Sequence, residues 1–500
     1  MWGGIAPLAM TIGTLAIFAA DAARLRGRQY VRAAGYGVVA LAVATSFAAN
    51  LIDSVSFVLA IASAFLAAAI GAYSQLYIEA EGYSRSIELF VDAYATLLLL
   101  AFASPSLMAL LSCWAAAEVV AFVLVRAGEE RATEGPLTSS RGFVLTSTMT
   151  FEATMFTLMF VLAATFVSAS GLSAALRPFS APAPRVRVPA YLMPLLFAAF
   201  VTKAALFPLH FWLPGAHASA PAPASALLSG ASTVLGLYGL YRLTEIVDFS
   251  GYAVPASALL IAMGTASVVL AGIKQPYLRD GKQMLAYGTI ATNGFSAALL
   301  AAYLVNQDMS SLAAFVSSLL LQMSYKTTLF CYVGLLELEY GTRYVHGLKG
   351  AAELMPVSSI GGALSAFALL GVPGTVGFVS KALALYVALA SALATPWLGG
   401  ALLAVVATYL IYSAQLALSF IGTLTPGTRP LEPIAAAGAG LQDPVLALGL
   451  SSILFTFLVP LWALSTGLVL AFVMPAPLSA LLALLTTWAF SRRRAQRGMP

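Results

Sequence analysis

Charged side chains are scarce in this chain. Aspartate, glutamate, lysine and arginine make up 9% of its 500 residues, whereas 60% of the residues are hydrophobic. An ordinary soluble domain carries about 25% charged residues, so this composition excludes one. Apolar stretches of about 20 residues, long enough to cross a lipid bilayer, recur along the whole chain. The sequence therefore predicts an all-α polytopic membrane protein whose polar connections are too short to form a soluble domain.

Cysteine is nearly absent. Cys113 and Cys331 are the two cysteines of the chain, and both lie within apolar stretches. Two cysteines are too few for an iron–sulfur cluster, and these two are badly placed for a disulfide framework. The sequence also lacks a glycine-rich loop of the nucleotide-binding type. We therefore predict no cofactor, no metal site, no redox centre and no ATP-driven pump on this chain.

About fifteen membrane spans are predicted from the apolar stretches. Their approximate limits are 2 to 20, 34 to 52, 56 to 78, 88 to 104, 106 to 126, 143 to 169, 191 to 213, 222 to 246, 254 to 274, 282 to 306, 311 to 336, 356 to 393, 395 to 421, 444 to 474 and 475 to 490. Two spans contain an internal proline, Pro208 in the seventh and Pro373 in the twelfth, and are predicted to be broken helices. Unwound backbone at membrane depth is tolerated where it lines a cavity, so this pattern favours a transporter.

Basic residues predict the orientation. Alternate connections place about 18 of the 25 lysines and arginines on one side of the membrane and about 4 on the other. By the positive-inside rule, the amino terminus is predicted outside and the carboxyl terminus in the cytoplasm of a cell membrane. The first span is expected to be retained, because its basic cluster follows it rather than precedes it. The same bias explains the pI of about 9.1, so no nucleic-acid partner is predicted.

Three of the six lysines lie deep inside predicted spans. Residues 200 to 204, FVTKA, recur as residues 378 to 382, FVSKA, which places Lys203 and Lys381 beside the two proline interruptions. Lys326 lies in the eleventh span. A charge at this depth costs about 2.5 to 3.5 kcal/mol on insertion scales. The arginines are predicted in connections or near span ends, and a desolvated lysine can release its proton whereas an arginine cannot. We interpret the three lysines as ion-translocation residues, with structural pairing as the alternative.

Acidic and histidine residues supply candidate partners. Glu118 is the strongest, because it lies mid-span and a carboxylate near a lysine favours the charged form of both. Asp92 and Glu152 lie closer to span ends and are secondary candidates. His210 and His217 flank the end of the first broken helix and suit a proton relay better than a zinc site, since a third ligand is missing.

Several segments together resemble a known family. Residues 203 to 217 read KAALFPLHFWLPGAH and residues 220 to 230 read APAPASALLSG, followed by GLY at 236 to 238. Further matches are KQMLAYGTI at 282 to 290, YKTTLF at 325 to 330 and GVPGTVGFVSK at 371 to 381. These segments resemble the antiporter-like, proton-translocating membrane subunits of respiratory complex I, membrane-bound hydrogenases and Mrp-type cation/proton antiporters.

The resemblance implies an architecture and a path. It implies a core of 14 helices with two inverted five-helix repeats: a three-helix amino-terminal segment at 1–87, repeats at 88–247 and 254–421, and carboxyl-terminal helices at 422–500. It also implies a proton path along Glu118, Lys203, Lys326 and Lys381 at mid-membrane. Such subunits carry no redox centre and work with other membrane subunits, moving protons or sodium ions.

The chain departs from the family pattern at three positions. The family glutamate usually follows the aromatic residue directly, where this chain has Ala115, and Glu118 lies three residues further on. Val234 stands where many relatives have a lysine, and Gln322 stands where relatives often have a histidine. Three alternatives therefore stay open: a non-pumping structural subunit of the same complex, a stand-alone secondary transporter, and an intramembrane hydrolase that uses Ser229 with His217.

Overall fold

The computed structural model describes residues 2–22, 28–130, 141–142, 155, 178–179, 185–426 and 439–463. The predicted spans 143 to 169 and 475 to 490 lie outside the described residues, apart from residue 155. Glu152 lies outside them as well.

Helices form nearly all of the described chain. In order they are α1 (Trp2–Ala22), α2 (Arg28–Ala48), α3 (Ser54–Ala80), α4 (Ser86–Phe102), α5 (Leu107–Glu129), α6 (Met193–Lys203), α7 (Trp212–Ser219), α8 (Ala222–Leu227), α9 (Thr233–Ile246), α10 (Ala253–Lys274), α11 (Gly281–Asn306), α12 (Met309–Tyr340), α13 (Ala351–Leu354), α14 (Pro356–Leu370), α15 (Val376–Ala394), α16 (Pro396–Leu424) and α17 (Ala439–Ala463). A π-helical segment, Leu228–Ser232, joins α8 to α9. Within these ranges the extended pairings are two isolated bridges, Val186 with Val247 and Asp280 with Tyr344.

Ten of the described helical segments are long and apolar enough to cross a membrane, judged by length and composition. Three shorter apolar helices accompany them, among them α6 and α14. The predicted fold class, an all-α polytopic membrane protein, is confirmed. The second helix begins earlier than predicted, at Arg28 rather than at 34, so Arg32 lies inside it.

Both spans that were predicted to be broken are interrupted in the structure. α6 ends at Lys203 and α7 begins at Trp212, with Pro208 between them. α14 ends at Leu370 and α15 begins at Val376. In the second interruption Gly371 and Gly374 adopt φ values of +86° and +92°, which favour glycine, and Pro373 supplies no backbone N–H.

The long helix α12 forms the centre of the molecule. The most apolar window of α12 is wholly buried, and so is that of the segment from α8 to α9. α12 packs against α11, α14, α15 and α17. Glycines allow close helix approach elsewhere: a Cβ at Gly264 of α10 would collide with the backbone of Gly294 of α11. Without a hydrophobic driving force inside a membrane, such close packing stabilises helix pairs.

Two buried arginines tie helices together near the ends of the bundle. Arg32 of α2 pairs with Asp92 and, at 2.6 Å, with Glu88, both on α4. Tyr36 donates a hydrogen bond to Asp92 over 3.1 Å. The structure therefore places Asp92, a secondary candidate for proton transfer, in an ion cluster between α2 and α4.

The second arginine, Arg242 of α9, lies one turn from the end of its helix. Its guanidinium pairs with Asp53 and with Glu245, the latter at 2.6 Å, and lies over the rings of Phe179 and Tyr238. Asp53 also caps the first turn of α3 by accepting a hydrogen bond from the backbone N–H of Ser56. This contact fastens α3 to α9.

We predict that Arg242→Met destabilises the protein by roughly 2 to 4 kcal/mol, because it removes the cation and leaves two carboxylates in place. The full cost of breaking a buried pair is not expected, since Asp53 and Glu245 are 23% and 28% exposed. Thermal unfolding in detergent measures the change. Arg187→Met is the control: Arg187 is 92% exposed in its pair with Asp248, so its unfolding temperature should stay near the wild-type value. Equal unfolding temperatures for both variants would contradict the prediction.

Candidate functional site

The first interruption places Lys203 beside Glu118. Lys203 is the last residue of α6 and its side chain is 1% exposed. Its ammonium group forms an ion pair with the Glu118 carboxylate of α5. Trp114, one turn before Glu118, donates its indole N–H to the same carboxylate over 2.7 Å. The expected contact between Glu118 and Lys203 is therefore present, although Glu118 is displaced along the helix relative to the family pattern.

Side chains of α7, α10 and α11 satisfy backbone groups at the first interruption. Asn293 of α11 donates its amide to the Ala204 carbonyl over 2.6 Å. The Phe207 N–H donates to the Ser267 hydroxyl of α10 over 2.9 Å. Trp212 donates its indole N–H to the Thr202 carbonyl over 3.0 Å, and its ring lies 5.9 Å from the Lys203 ammonium. These contacts hold the interruption in one conformation, because backbone groups in an apolar surrounding must be paired.

Lys326 lies at the centre of α12 and is fully buried. Its ammonium donates to the Leu285 carbonyl of α11 and lies 4.8 Å from the centre of the Tyr325 ring. Gly288, one turn further along α11, leaves the space that the ammonium occupies, since a Cβ there would collide with it. A backbone carbonyl and an aromatic ring are the partners of this lysine.

Lys381 lies beside the second interruption. Its ammonium donates to the Leu369 carbonyl over 2.5 Å and to the Ser413 hydroxyl of α16 over 2.8 Å. Leu369 belongs to the last turn of α14, where carbonyl groups lack partners in their own helix and carry the negative end of the helix dipole. The half-helix before the interruption, α14, thus supplies an acceptor for Lys381, which lies on the half-helix after it, α15.

A chain of hydroxyl groups lies between Lys326 and Lys381. Thr292 of α11 bonds to the Tyr325 hydroxyl over 2.6 Å and to the Tyr409 hydroxyl over 3.1 Å. The Tyr325 ring lies under Lys326, and the Tyr409 ring lies 5.8 Å from the Lys381 ammonium. Each of the two hydrogen-bonded tyrosines therefore has its ring near one of these two lysines.

Sequence reasoning missed the hydroxyl residues of this group. A signal was present in the predicted span 395 to 421, where Tyr409, Tyr412 and Ser413 follow the spacing i, i+3, i+4 and so share one face of an otherwise apolar helix. All three are buried in the structure, on the face of α16 that meets the lysines.

The two predicted histidines lie in different surroundings. His217 of α7 is fully buried and stacks on Phe330 of α12 at 4.6 Å between ring centres. Neither ring nitrogen of His217 has a hydrogen-bond partner among the described residues. His210 lies in the interruption, partly buried, with its ring 5.5 Å from that of Phe207. Phe330, on which His217 stacks, lies one turn of α12 away from Lys326. His210 lies nearer the surface.

The two replaced family positions are both buried. Val234 contributes an apolar side chain. Gln322 donates its amide to the Ser229 carbonyl over 3.1 Å and to the Thr233 hydroxyl over 2.9 Å. The position where relatives often have histidine therefore carries a hydrogen-bonded but non-titrating group.

The geometry is that of a polytopic membrane protein with buried lysines at two helix interruptions. Residues 104–411 match the family described as NADH:quinone oxidoreductase/Mrp antiporter, TM. Because this match covers more than half of the chain, the chain belongs to that family.

Individual relatives cover parts of the chain. It is 30% identical over 284 residues to NADH-quinone oxidoreductase subunit N of Desulforudis audaxviator (strain MP104C), which is 53% of this chain and 55% of the relative. The chain thus spans about half the length of that relative.

Two solved structures share the fold. The Mrp complex from Dietzia sp. DQ12-45-1b contains a chain with a TM-score of 0.73 at 18% identity, covering 92% of this chain and 96% of the other. Respiratory complex I from Thermus thermophilus with bound NADH contains one with a TM-score of 0.70 at 22% identity, covering 93% of this chain and 99% of the other.

We predict that Gly288→Ala displaces the Lys326 ammonium from the Leu285 carbonyl and destabilises the protein by about 1 to 3 kcal/mol, as overpacking does. Thermal unfolding in detergent measures the stability. Gly272→Ala is the matched control, because a Cβ at this helical glycine of α10 would meet nothing within 4 Å. It should be neutral or stabilising by up to about 1 kcal/mol. A Gly288→Ala protein as stable as the control would show that the space beside Lys326 is not closely filled.

Proposed function

We propose that this chain is a proton-translocating subunit of a multi-subunit membrane assembly of the complex I-like or Mrp-type class. The observation that carries the proposal is the burial of Lys203, Lys326 and Lys381 within apolar helices, two of them at helix interruptions. The cost of placing a lysine at membrane depth is not repaid by packing, so a role in ion movement accounts for it better than a structural one.

The partners of the lysines support a proton as the ion. Glu118 and Lys203 form a pair in which a proton can move between carboxylate and amine without leaving the site. Thr292, Tyr325 and Tyr409 lie between Lys326 and Lys381, and their hydroxyls, which both donate and accept, are hydrogen-bonded to one another. We propose that protons follow this line, with Glu118, Lys203, Lys326 and Lys381 as the titrating groups and His217 as an access residue beside Lys326.

The assembly and its orientation belong to the same proposal. We propose that the helices at 88–247 and 254–421 are the two inverted repeats and that other membrane subunits cover part of the bilayer-facing surface. The amino terminus lies outside and the carboxyl terminus in the cytoplasm of a cell membrane. In support, matched relatives and structures are parts of a quinone oxidoreductase and of an Mrp complex.

A non-pumping structural subunit is the second candidate. Val234 and Gln322 favour it, because neither side chain titrates where relatives carry lysine or histidine. Under this candidate the buried lysines hold helices together through the Glu118, Leu285 and Leu369 contacts, and their loss lowers stability rather than transport.

Lys381→Arg separates the two candidates. Arginine keeps the positive charge but does not release its proton. The tagged assembly is purified from its host, reconstituted into liposomes with an entrapped pH-sensitive dye, and driven by an imposed sodium or proton gradient. We expect normal assembly with proton movement reduced by about 100-fold or more. An assembled Lys381→Arg complex that moves protons at the wild-type rate would exclude proton transfer through Lys381.

Glu118→Gln tests the first half of the line. Glutamine preserves the shape and a hydrogen bond from Trp114 but removes the negative charge that Lys203 faces. We expect proton movement to fall by at least about tenfold in the same liposome measurement. Glu130→Gln is the control, because Glu130 lies in an exposed pair with Arg126 at the end of α5. If Glu118→Gln and its control move protons equally well, Glu118 is not part of the path.

A further inference from the structure

The polar line has a gap between its two halves. The Glu118–Lys203 pair lies at one end, and Lys326 with its hydroxyl group lies at the other. Val234 and Gln322 occupy the positions at which the family pattern provides titrating side chains for this region. If protons pass between the halves, uncharged groups must carry them.

The π-helical segment lies in this gap. Its residue Ser229 bonds through its hydroxyl to the Thr289 hydroxyl of α11. Thr289 in turn donates to the Leu285 carbonyl over 3.1 Å, and this carbonyl also accepts from Lys326. The Thr289 hydroxyl and the Lys326 ammonium therefore share one acceptor, which brings them close together, although a carbonyl oxygen only accepts and does not pass a proton between them. All of these residues are fully buried.

The π-helical segment also fixes the position of Ser229. Its carbonyl accepts hydrogen bonds from the Gln322 amide and, over 2.9 Å, from the Thr233 hydroxyl. In an α-helix this carbonyl would be occupied by a backbone N–H of the following turn. Single-turn π-helical insertions are often found at functional sites. Gln322 therefore serves here as an anchor of the π-helical segment.

Unpaired buried polar atoms continue the line on the other side. Ser232, three residues after Ser229, and Tyr94 of α4 are both buried, and neither hydroxyl has a hydrogen-bond partner within the described parts of the chain. The Tyr94 hydroxyl lies beside Ser232, outside hydrogen-bond geometry, and within electrostatic range of the Glu118 carboxylate. The Gln322 carbonyl oxygen is likewise unpaired among these residues. Buried polar atoms of this kind hold ordered water where space allows.

We propose that Tyr94, Ser232, Ser229 and Thr289 form an uncharged bridge that carries protons between the Glu118–Lys203 pair and Lys326, with water completing it beside Tyr94 and Ser232 and between Thr289 and Lys326. This inference rests on the proposed function. In one transfer the Lys326 ammonium gives a proton to a water beside Thr289 and becomes an amine, each water and hydroxyl accepts a proton on one side and releases its own on the other, and the Glu118 carboxylate is protonated. No electrons move and no proton is lost.

Thr289 allows a test with closely matched variants. Thr289→Val keeps the shape of the side chain and removes the hydroxyl, whereas Thr289→Ser keeps the hydroxyl and removes a methyl group. Thr328→Val is the control, because Thr328 is a fully buried threonine of α12 whose hydroxyl donates to the Ser324 carbonyl, outside the bridge. Assembly yield, unfolding temperature and proton movement in liposomes are measured for each variant in the purified assembly.

We expect proton movement to fall by at least about tenfold in Thr289→Val and to stay within about twofold of wild type in Thr289→Ser and Thr328→Val. Tyr94→Phe should behave as Thr289→Val does. If the Thr289 hydroxyl were purely structural, its removal would lower the unfolding temperature, and proton movement would not differ in this way between Thr289→Ser and Thr289→Val.

Other outcomes overturn the proposal. If the wild-type assembly moves protons and Thr289→Val and Tyr94→Phe do so at the same rate, the bridge is wrong while the proposed function stands. If Thr289→Ser and Thr328→Val lose transport together with Thr289→Val, the effect is one of packing, and the bridge is again wrong. A wild-type assembly that moves no protons, either under these gradients or when supplied with an electron donor and a quinone, overturns the proposed function, and the bridge with it.

Discussion

Much of this structure depends on one requirement: backbone groups released by an interrupted helix must find hydrogen-bond partners inside an apolar environment. At the first interruption these partners are Asn293, Ser267 and Trp212, two of which come from α10 and α11. At the second, Lys381 donates to a carbonyl of the preceding half-helix. The interruptions place the lysines, and the need to satisfy the backbone then fixes which helices surround them.

α11 has a special position as a consequence. Leu285 and Thr289 face Lys326 and the π-helical segment, Thr292 faces the tyrosines next to Lys381, and Asn293 reaches the first interruption. These residues span about two turns of one rigid helix. A displacement of α11 along its axis would therefore change the contacts of both halves together, which offers a physical means of coupling them.

The sequence predicted the fold class and both interruptions because their causes are local. Apolar length predicts a span, and proline or glycine with a special backbone conformation predicts a break. Depth within a span was enough to predict that Lys203, Lys326 and Lys381 are buried, and their part in ion movement stays a proposal. The partners of Lys326 and Lys381 are backbone carbonyls and hydroxyls from helices distant in sequence, and residue type alone does not show which carbonyl a lysine will reach. Asp92 was considered for proton transfer. Its contact with Arg32 was not predicted, because the second span was predicted to begin at 34 and so left Arg32 outside it.

The lysines also differ in the strength of their partners. Lys203 faces a carboxylate, whereas Lys326 and Lys381 face carbonyl and hydroxyl oxygens. A nearby opposite charge favours the charged form of a lysine, whereas neutral oxygens offer only dipoles. The Glu118–Lys203 pair thus stabilises a charge more than the other two positions do, so the proposed path contains unequal sites.

The displaced glutamate shows why a family pattern must be compared in space as well as in sequence. A shift of three residues moves a side chain by less than one helical turn, about 4.5 Å along the axis, and returns it to a neighbouring face. The long side chains of Glu118 and Lys203 cover that distance, and Trp114 holds the carboxylate in place. Val234 cannot be compensated in this way, because no rotation of an apolar side chain supplies a donor. The chain can lose the sequence position of its acid and keep the ion pair, whereas the absence of a lysine at 234 can be offset only by other polar side chains.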